Sequence, residues 1–234
     1  MKLLILGPGE SGKTTTAEYM RDAYGLSFSD SSQVASEIIT PLLNECLGHR
    51  TPELHHQERR HRRELWAEAI ALYNAYDATA LARKVLQKSD VCVGMRKLRE
   101  FEACFQAELF DMIIWCNAGT RVDHDPSLEI TPKHLVPPLS ITPVFGINTA
   151  DPDGFEMRKG IDAVMAKFGI KRILADRDES QWRPSPNPSE WRCGAEAFPD
   201  PEKLNSSAEA ENHDLTLEQL FDKVNPATNQ ILRR

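Results

Sequence analysis

Short apolar segments and longer amphipathic segments follow one another along the first half of the chain. Strands are predicted where apolar or β-prone residues stand together, at residues 2–6, 26–29, 90–94 and 111–116. Helices are predicted where apolar residues recur at helical spacing, at residues 12–24, 33–47, 53–88 and 98–109. We expect an interruption near Pro41 and a division of the third helical region near residues 74–77. This order predicts an α/β fold with a parallel central sheet covered by helices.

The second half of the chain has weaker patterns. Residues 117–139 are polar and contain several prolines, which predicts a long functional loop or lid rather than a helix. A fifth strand is expected at either 141–147 or 170–175, and further helices at 155–168 and 215–224. The length of 234 residues allows one α/β domain with an insertion or two small domains, and we interpret residues 1–234 as one domain.

The link between the first strand and the first helix has the sequence GPGESGKTT. It fits the phosphate-binding pattern G-x-x-x-x-G-K-[ST] at every fixed position. Glycines let the backbone wrap so that N–H groups point at phosphate oxygens, and the helix N-terminus adds positive charge. Lys13 can reach the β- and γ-phosphates, while the Thr14 hydroxyl can ligate Mg²⁺. The motif predicts a P-loop NTPase-type three-layer sandwich that binds ATP and Mg²⁺ through Gly7, Gly9, Glu10, Ser11, Gly12, Lys13, Thr14 and Thr15.

Other polar residues follow the predicted strands directly. Asp30 comes after the second strand, Arg96 after the third and Asn117 after the fourth. Ligands of parallel α/β sheets bind beyond the carboxyl ends of the strands. We therefore expect these residues and the phosphate loop to line one cleft.

Composition excludes several classes of function. The formal net charge of −7 argues against a general nucleic-acid-binding protein, which normally has a basic surface. The five cysteines form no C-x-x-C pair, which predicts reduced thiols and a cytoplasmic protein. No apolar stretch is long enough to cross a membrane. The oligomeric state, monomer or homodimer, is left open.

Several further segments occur in the order found in one kinase family. Val91–Arg96 resembles a strand and turn whose arginine holds an acceptor phosphate, and Glu100 follows that arginine by four positions. Arg62, Arg63 and Asp77 resemble polar residues of the preceding helical region, and Arg121 resembles a lid arginine. Residues 129–131 and 212–220 are similar to the further lid and the C-terminal segment. The sequence therefore resembles the nucleoside monophosphate kinases, most of all the deoxynucleoside monophosphate kinases of bacteriophages, whose place of action is the host cytoplasm.

This resemblance implies ATP-dependent phosphoryl transfer to a nucleoside monophosphate, with residues 31–88 binding the acceptor and residues 117–139 forming a lid. The implied catalytic residues are Lys13, Arg96 and Arg121. The implied substrate contacts are Asp30, Arg62, Arg63, Asp77, Arg96 and Glu100. Two features depart from the family. The aspartate expected at the end of the third strand is missing, so either Asp30, Glu100 or Asp111 replaces it, or metal binding rests on Thr14 and the nucleotide. In addition, residues 140–210 form an insertion of unknown role.

Two other functions remain open from the sequence. A GTPase is one, because residues 148–151 faintly resemble the guanine-reading N-K-x-D pattern, although the lysine is absent. The other is a P-loop kinase whose acceptor is a polynucleotide end or another small molecule. The negative net charge argues against a polynucleotide acceptor without excluding it, and no stable nucleic-acid partner is expected.

Overall fold

The computed structural model describes residues 1–59, 61–119, 128–135 and 142–173, except for the side chain of Cys46. Five strands occur within these ranges: β1 (Leu3–Leu6), β2 (Phe28–Asp30), β3 (Val91–Val93), β4 (Met112–Asn117) and β5 (Val144–Asn148). The α-helices are α1 (Lys13–Tyr24), α2 (Ser31–Leu47), α3 (Pro52–Glu58), α4 (Arg63–Tyr73), α5 (Ala80–Lys88), α6 (Leu98–Gln106) and α7 (Phe155–Lys167). A short 3-10 helix covers Pro132–Leu135.

The strands form one parallel sheet in the order β2-β3-β1-β4-β5. Strand β1 lies at the centre and pairs with β3 on one side and β4 on the other. Its four residues are completely buried, as expected for a strand covered on both faces. The parallel arrangement brings the carboxyl ends of all five strands to one edge.

Helices cover both faces of the sheet. Leu3 and Ile5 belong to a core cluster that contains residues of α1 and α7, whereas Leu4 and Leu6 belong to a cluster with residues of α2, α5 and α6. The division follows from the alternation of side chains along a strand. The predicted three-layer α/β sandwich of the P-loop type is therefore confirmed.

A third apolar cluster lies within the helical region of residues 31–88. Ala35, Ile39 and Leu43 of α2 pack there with Trp66 and Ala69 of α4. The sequence predicted two helices after α2 in this region, and the structure has three, α3, α4 and α5. The helical region begins at the carboxyl edge of the sheet, because α2 follows directly from the end of β2.

The predicted break at Pro41 is wrong, since α2 continues through this residue. A proline in a helix has no N–H to donate to the carbonyl four residues earlier, here that of Glu37. Both Glu37 and Pro41 are on the exposed side of α2, where water can bind that carbonyl. The opposite side of α2 packs in the core, and this packing keeps the helix whole.

Two further boundaries differ from the sequence prediction. Helix α6 ends at Gln106 rather than near residue 109, because Glu108 has a left-handed backbone with φ of 49°. Of the two candidates for the fifth strand, residues 144–148 form β5, and residues 170–173 are not a strand. The part of residues 140–210 that was expected to be an insertion thus contributes β5 and α7 to the sandwich.

A polar network fixes residues 170–173 against α1 and α7. The Tyr19 hydroxyl donates to the Asp162 carboxylate at 2.7 Å, and the Arg172 guanidinium donates to the Tyr19 hydroxyl at 2.8 Å. The backbone N–H of Ile173 also donates to Ala23 O at 2.9 Å. These bonds hold residues 170–173 in place without pairing to a strand of the described sheet. The predicted helix at 215–224 lies outside the described residues.

Among the helices of the described ranges, none combines the length and apolar character needed to cross a membrane.

Candidate functional site

The phosphate loop joins the end of β1 to the start of α1. Three of its residues have positive φ angles: Gly7 at 148°, Glu10 at 59° and Gly12 at 78°. A Cβ atom on Gly7 would lie 2.7 Å from the Cys116 carbonyl oxygen and 2.5 Å from the Ser11 hydroxyl. Gly7 is therefore required both for its backbone angle and for its close approach to β4.

The loop is shaped to receive an anion. Turns that alternate right- and left-handed backbone make concavities lined by N–H groups. Helix α1 starts at Lys13 from a left-handed Gly12, a residue that has no side chain with which to cap the helix. A phosphate oxygen could therefore accept from the N–H groups of the first helical turn, where the helix dipole is positive. These features fit the phosphates of ATP.

The Lys13 ammonium lies against the loop itself. It donates to Gly7 O at 2.9 Å, to Pro8 O, and to the Ser11 hydroxyl at 3.4 Å. The carbonyls hold a positive charge beside the concavity. Phosphate oxygens, which are stronger acceptors because they are charged, would compete for the same ammonium.

A magnesium site would depend on Thr14 and the nucleotide. Thr14 is the second residue of α1 and is half-buried beside the loop. The described residues contain no group of three His, Cys, Asp or Glu side chains that could hold a metal ion. Since Mg²⁺ is commonly bound by one or two protein oxygens together with substrate phosphates, a hydroxyl next to the phosphate loop fits it.

The three carboxylates considered as replacements for the missing third-strand aspartate differ in position. Asp111 precedes β4 and accepts from the Lys2 N–H at 2.6 Å, so it lies at the amino edge of the sheet. Asp111 is therefore excluded as the replacement, because the length of β4 separates it from the phosphate loop. Asp30 ends β2 at the carboxyl edge, and Glu100 lies in the first turn of α6 after β3.

Arg96 follows β3, the neighbour of β1. The Gly94 N–H donates to Ile5 O at 2.9 Å, which ties the end of β3 to the start of the phosphate loop. Arg96 is exposed, and its backbone carbonyl accepts from Glu129 N–H at 2.9 Å. The structure thus brings Arg96 and the phosphate loop to the same sheet edge, as the sequence predicted.

The described part of the expected lid, residues 128–135, packs on the sandwich. Glu129 accepts from the Lys97 ammonium at 2.7 Å and from the Leu98 N–H at 3.1 Å. Ile130 and Leu135 are buried in the core cluster of α5 and α6. Residues 117–119, at and after the end of β4, are described as well, and the lid role of residues 117–139 stays a prediction. Arg121 and the rest of the expected lid, residues 120–127 and 136–139, lie outside the described residues.

Asp77 and Arg62 have structural neighbours. The Asp77 carboxylate accepts from the Thr79 N–H at 2.8 Å and from its hydroxyl at 2.6 Å, just before α5. Arg62 lies 3.5 Å from Glu58, and Arg63 is an exposed first residue of α4. Their roles in binding an acceptor stay predictions.

Glu100 connects α6 with the junction of α4 and α5. Its carboxylate accepts from the Asn74 amide at 2.8 Å, and the Asn74 carbonyl accepts from the Leu81 N–H at 3.2 Å. Burial raises the pKa of Glu100, while the bond from Asn74 opposes this shift. A half-buried carboxyl at this position can interact with a polar group of a bound molecule, and its contact with an acceptor stays a prediction.

One polar chain beside Asp30 was missed by the sequence analysis. Ser32 donates from its hydroxyl to Asp30 at 2.8 Å, and the same hydroxyl lies 2.9 Å from His56 Nε2. Arg59 donates to the His56 carbonyl at 2.7 Å. Burial and the Arg59 charge lower the pKa of His56, which favours its neutral form. The only sequence signal was a pair of serines after a strand, which indicated a helix cap.

Thr149 was also missed as a site residue. It follows β5 directly, and its hydroxyl donates to Ser11 O in the phosphate loop at 2.8 Å. Two residues further along, the Asp151 carboxylate accepts from the N–H groups of Asp153 and Glu156, each at 3.2 Å. Asp151 therefore caps α7, which weakens its interpretation as a guanine-reading aspartate. The sequence signal for Thr149 was its position after a possible strand, but the sequence left two candidates for that fifth strand.

No protein-family model matches the chain, and no curated protein matches it. A crystal structure of an unliganded sugar kinase from Janibacter sp. HTCC2649 is similar at 17% sequence identity and a TM-score of 0.35. The similarity covers 72% of this chain and 94% of that chain. A TM-score of this size establishes neither a shared fold nor a shared substrate. The function of this chain must therefore be inferred from its own residues.

Proposed function

We propose that this protein transfers the γ-phosphoryl group of ATP to a nucleoside monophosphate, preferably a deoxynucleotide. An oxygen of the acceptor phosphate attacks the γ-phosphorus, and the bond from the γ-phosphorus to the bridging β-phosphate oxygen breaks. The products are ADP and a nucleoside diphosphate. Such a transfer needs two anions held in line more than it needs covalent help from the protein. The preference for a deoxynucleotide rests on the resemblance of residues 1–135 to the phage enzymes.

One observation carries the proposal. The phosphate loop and the Arg96 turn follow two neighbouring parallel strands, β1 and β3, which are linked by the 2.9 Å bond from Gly94 N–H to Ile5 O. Neighbouring strands lie about 5 Å apart. A phosphate on the loop and a second phosphate on Arg96 would therefore stand side by side at one sheet edge.

On the donor side, the loop amides and Lys13 are the groups suited to the β- and γ-phosphates. Mg²⁺, held by Thr14 and the phosphates, would neutralise the charge of the transferred group. On the acceptor side, the planar guanidinium of Arg96 can grip a phosphate with two parallel hydrogen bonds. Arg62, Arg63 and Arg121 are proposed as further cations for the acceptor or the transferred group.

A direct test offers ATP and Mg²⁺ to the protein with a panel of ribo- and deoxyribonucleoside monophosphates. Formation of ADP together with one nucleoside diphosphate supports the proposal and identifies the base and sugar. The matched control is the Lys13→Ala variant, which should form neither product. ATP cleavage that is independent of every monophosphate would contradict the proposed acceptor. A polynucleotide 5′ end and other small molecules are offered in parallel. If one of these is phosphorylated instead, the protein is a kinase but the proposed acceptor is wrong.

The GTPase alternative has less support. Its guanine contact would need the Asp151 carboxylate, which instead accepts two N–H groups at the start of α7. Equilibrium binding of GTP and ATP distinguishes the two functions. Tight binding selective for guanine, with no transfer to any monophosphate, would favour the GTPase.

A further inference from the structure

Three features place Thr149, the residue after β5, against the end of β4 and the phosphate loop. The Thr149 hydroxyl donates to Ser11 O at 2.8 Å. The Thr149 N–H donates to Asn117 O at the end of β4, at 2.9 Å. The Thr149 Cβ is 3.3 Å from the place where a Cβ on Gly12 would stand. A side chain from the sheet edge thus lies against the Ser11–Gly12 peptide.

The orientation of that peptide matters for binding phosphate. Ser11 C=O and Gly12 N–H belong to one planar trans peptide, so they point in opposite directions. Because Thr149 binds the carbonyl, the Gly12 N–H points to the side of the loop opposite Thr149. The Gly12 carbonyl is fixed as well, since it accepts from the Thr16 N–H at 2.9 Å. Gly12 is therefore held by its neighbours on both sides.

We propose that Thr149 is a positioning residue for the donor phosphates, an inference that rests on the proposed use of this loop to bind ATP. Its hydroxyl fixes the Ser11–Gly12 peptide so that the Gly12 N–H faces the anion before the anion arrives. A preorganised donor needs no reorientation on binding, which increases affinity. Thr149 touches the loop and not the phosphate, so it acts through the backbone of Gly12.

Three variants separate the hydroxyl from the shape of the side chain. Thr149→Val keeps the size and removes the hydroxyl, whereas Thr149→Ser keeps the hydroxyl and removes the methyl group. Thr142→Val is the matched control, because the Thr142 hydroxyl also donates to a backbone carbonyl, that of Phe110, at 3.4 Å. Thr142 precedes β5 at the amino edge of the sheet, remote from the loop.

The measurement is calorimetric titration of each folded protein with ATP and, separately, with inorganic tripolyphosphate. Loss of the partly buried hydrogen bond to Ser11 O should weaken the binding of both ligands about 10-fold in Thr149→Val. Thr149→Ser should remain within about twofold of the unaltered protein, and so should Thr142→Val. An equal loss for both ligands indicates that the effect acts on the phosphates and not on the base.

The possible results distinguish this inference from the proposed function. Unchanged affinity in Thr149→Val, or a loss in Thr149→Ser as large as that in Thr149→Val, overturns the role of the hydroxyl. A second result is that the three variants bind ATP and tripolyphosphate as expected while the unaltered protein phosphorylates no monophosphate. That result overturns the proposed reaction and leaves the role of Thr149 intact. If the unaltered protein binds neither ATP nor tripolyphosphate, the phosphate site and the role of Thr149 both fail.

Discussion

The donor and acceptor sides of the proposed cleft are built by different means. The donor side, residues 7–15, is one continuous stretch whose backbone would supply the anion-binding groups. Cys116 of β4 lies close to Gly7, and Thr149, which follows β5, bonds Ser11. The acceptor side takes its side chains from several elements far apart in the chain: Asp30, Arg62, Arg63, Asp77, Arg96 and Glu100. Several of these side chains also bind protein groups, such as Thr79 for Asp77 and Asn74 for Glu100.

This difference affects how far each side can be inferred. A backbone site needs a fixed local spacing of glycines, and the spacing itself is evidence of its purpose. A side-chain site uses residue types that serve equally well as helix caps and ion pairs. The acceptor side is therefore where individual assignments are most open to correction by experiment.

The largest expected effect is on the donor side. Lys13→Ala should lower the rate of phosphoryl transfer about 1,000-fold, because the transferred group loses its mobile positive charge. The measurement is the turnover number in the ATP and monophosphate assay. The matched control is Lys84→Ala, which removes an exposed lysine of α5. Near-normal turnover in folded Lys13→Ala would remove the phosphate loop from the active site.

The next effect tests whether the two sides are separate. Arg96→Ala should raise the KM for the monophosphate about 30-fold and leave the KM for ATP nearly unchanged, because a guanidinium–phosphate contact is lost on one side only. Steady-state kinetics with each substrate varied in turn give both values. Arg99→Ala, an exposed arginine in the first turn of α6, serves as the control. Equal losses for both substrates would contradict a distinct acceptor role.

A smaller effect concerns Asp77, whose predicted acceptor role competes with its two hydrogen bonds to Thr79, the residue before α5. Thr79 lowers the pKa of Asp77 by hydrogen bonding, so the carboxylate is charged at neutral pH. If these two bonds are its main role, Asp77→Ala should lower Tm by about 3 °C. Asp77→Asn should retain most of the stability, since an amide oxygen can also accept. A rise in the monophosphate KM in both variants, with unchanged Tm, would instead favour the substrate contact.

The smallest effect is a pH dependence from His56. Burial and Arg59 lower its pKa in the folded protein, while Asp30 opposes the shift and Trp66 packs at the ring edge. A lowered histidine pKa means that the unfolded chain binds more protons, so this group's contribution to stability falls as pH drops from its ordinary value of about 6.5. The contribution of His56 to stability is complete above pH of about 6.5 and is lost as the pH falls through the pKa of His56 in the folded protein.

The corresponding measurement compares Tm from pH 7.5 to 5.5 for the unaltered protein and His56→Gln. The variant should lose less Tm over this range, by about 2 °C. His55 also has a pKa lowered by burial, and burial raises the pKa of Glu100, which acts in the opposite sense. Because both remain in the variant, the difference between the two curves isolates His56. Parallel curves would contradict its lowered pKa.

The sequence alone determined the α/β class, the phosphate loop and the meeting of Asp30 and Arg96 with that loop at one edge. These follow from local spacing and from the geometry of parallel strands, whose carboxyl ends share an edge whatever their order. The apolar run at residues 2–6 also predicted a buried strand, since a parallel strand covered on both faces is apolar without alternation, whereas its central position came from the structure.

Only the tertiary structure decided the rest. The choice of β5 over residues 170–173 depended on pairing with β4, which is about 30 residues away in the chain. The continuity of α2 through Pro41 depended on packing against α4, which outweighs a local preference. The contact of Thr149 with Ser11, 138 positions apart, arises because β5 and the phosphate loop end at one edge. Long-range contacts of this kind leave no periodic signal, because their energy comes from elements that meet only after the chain has folded.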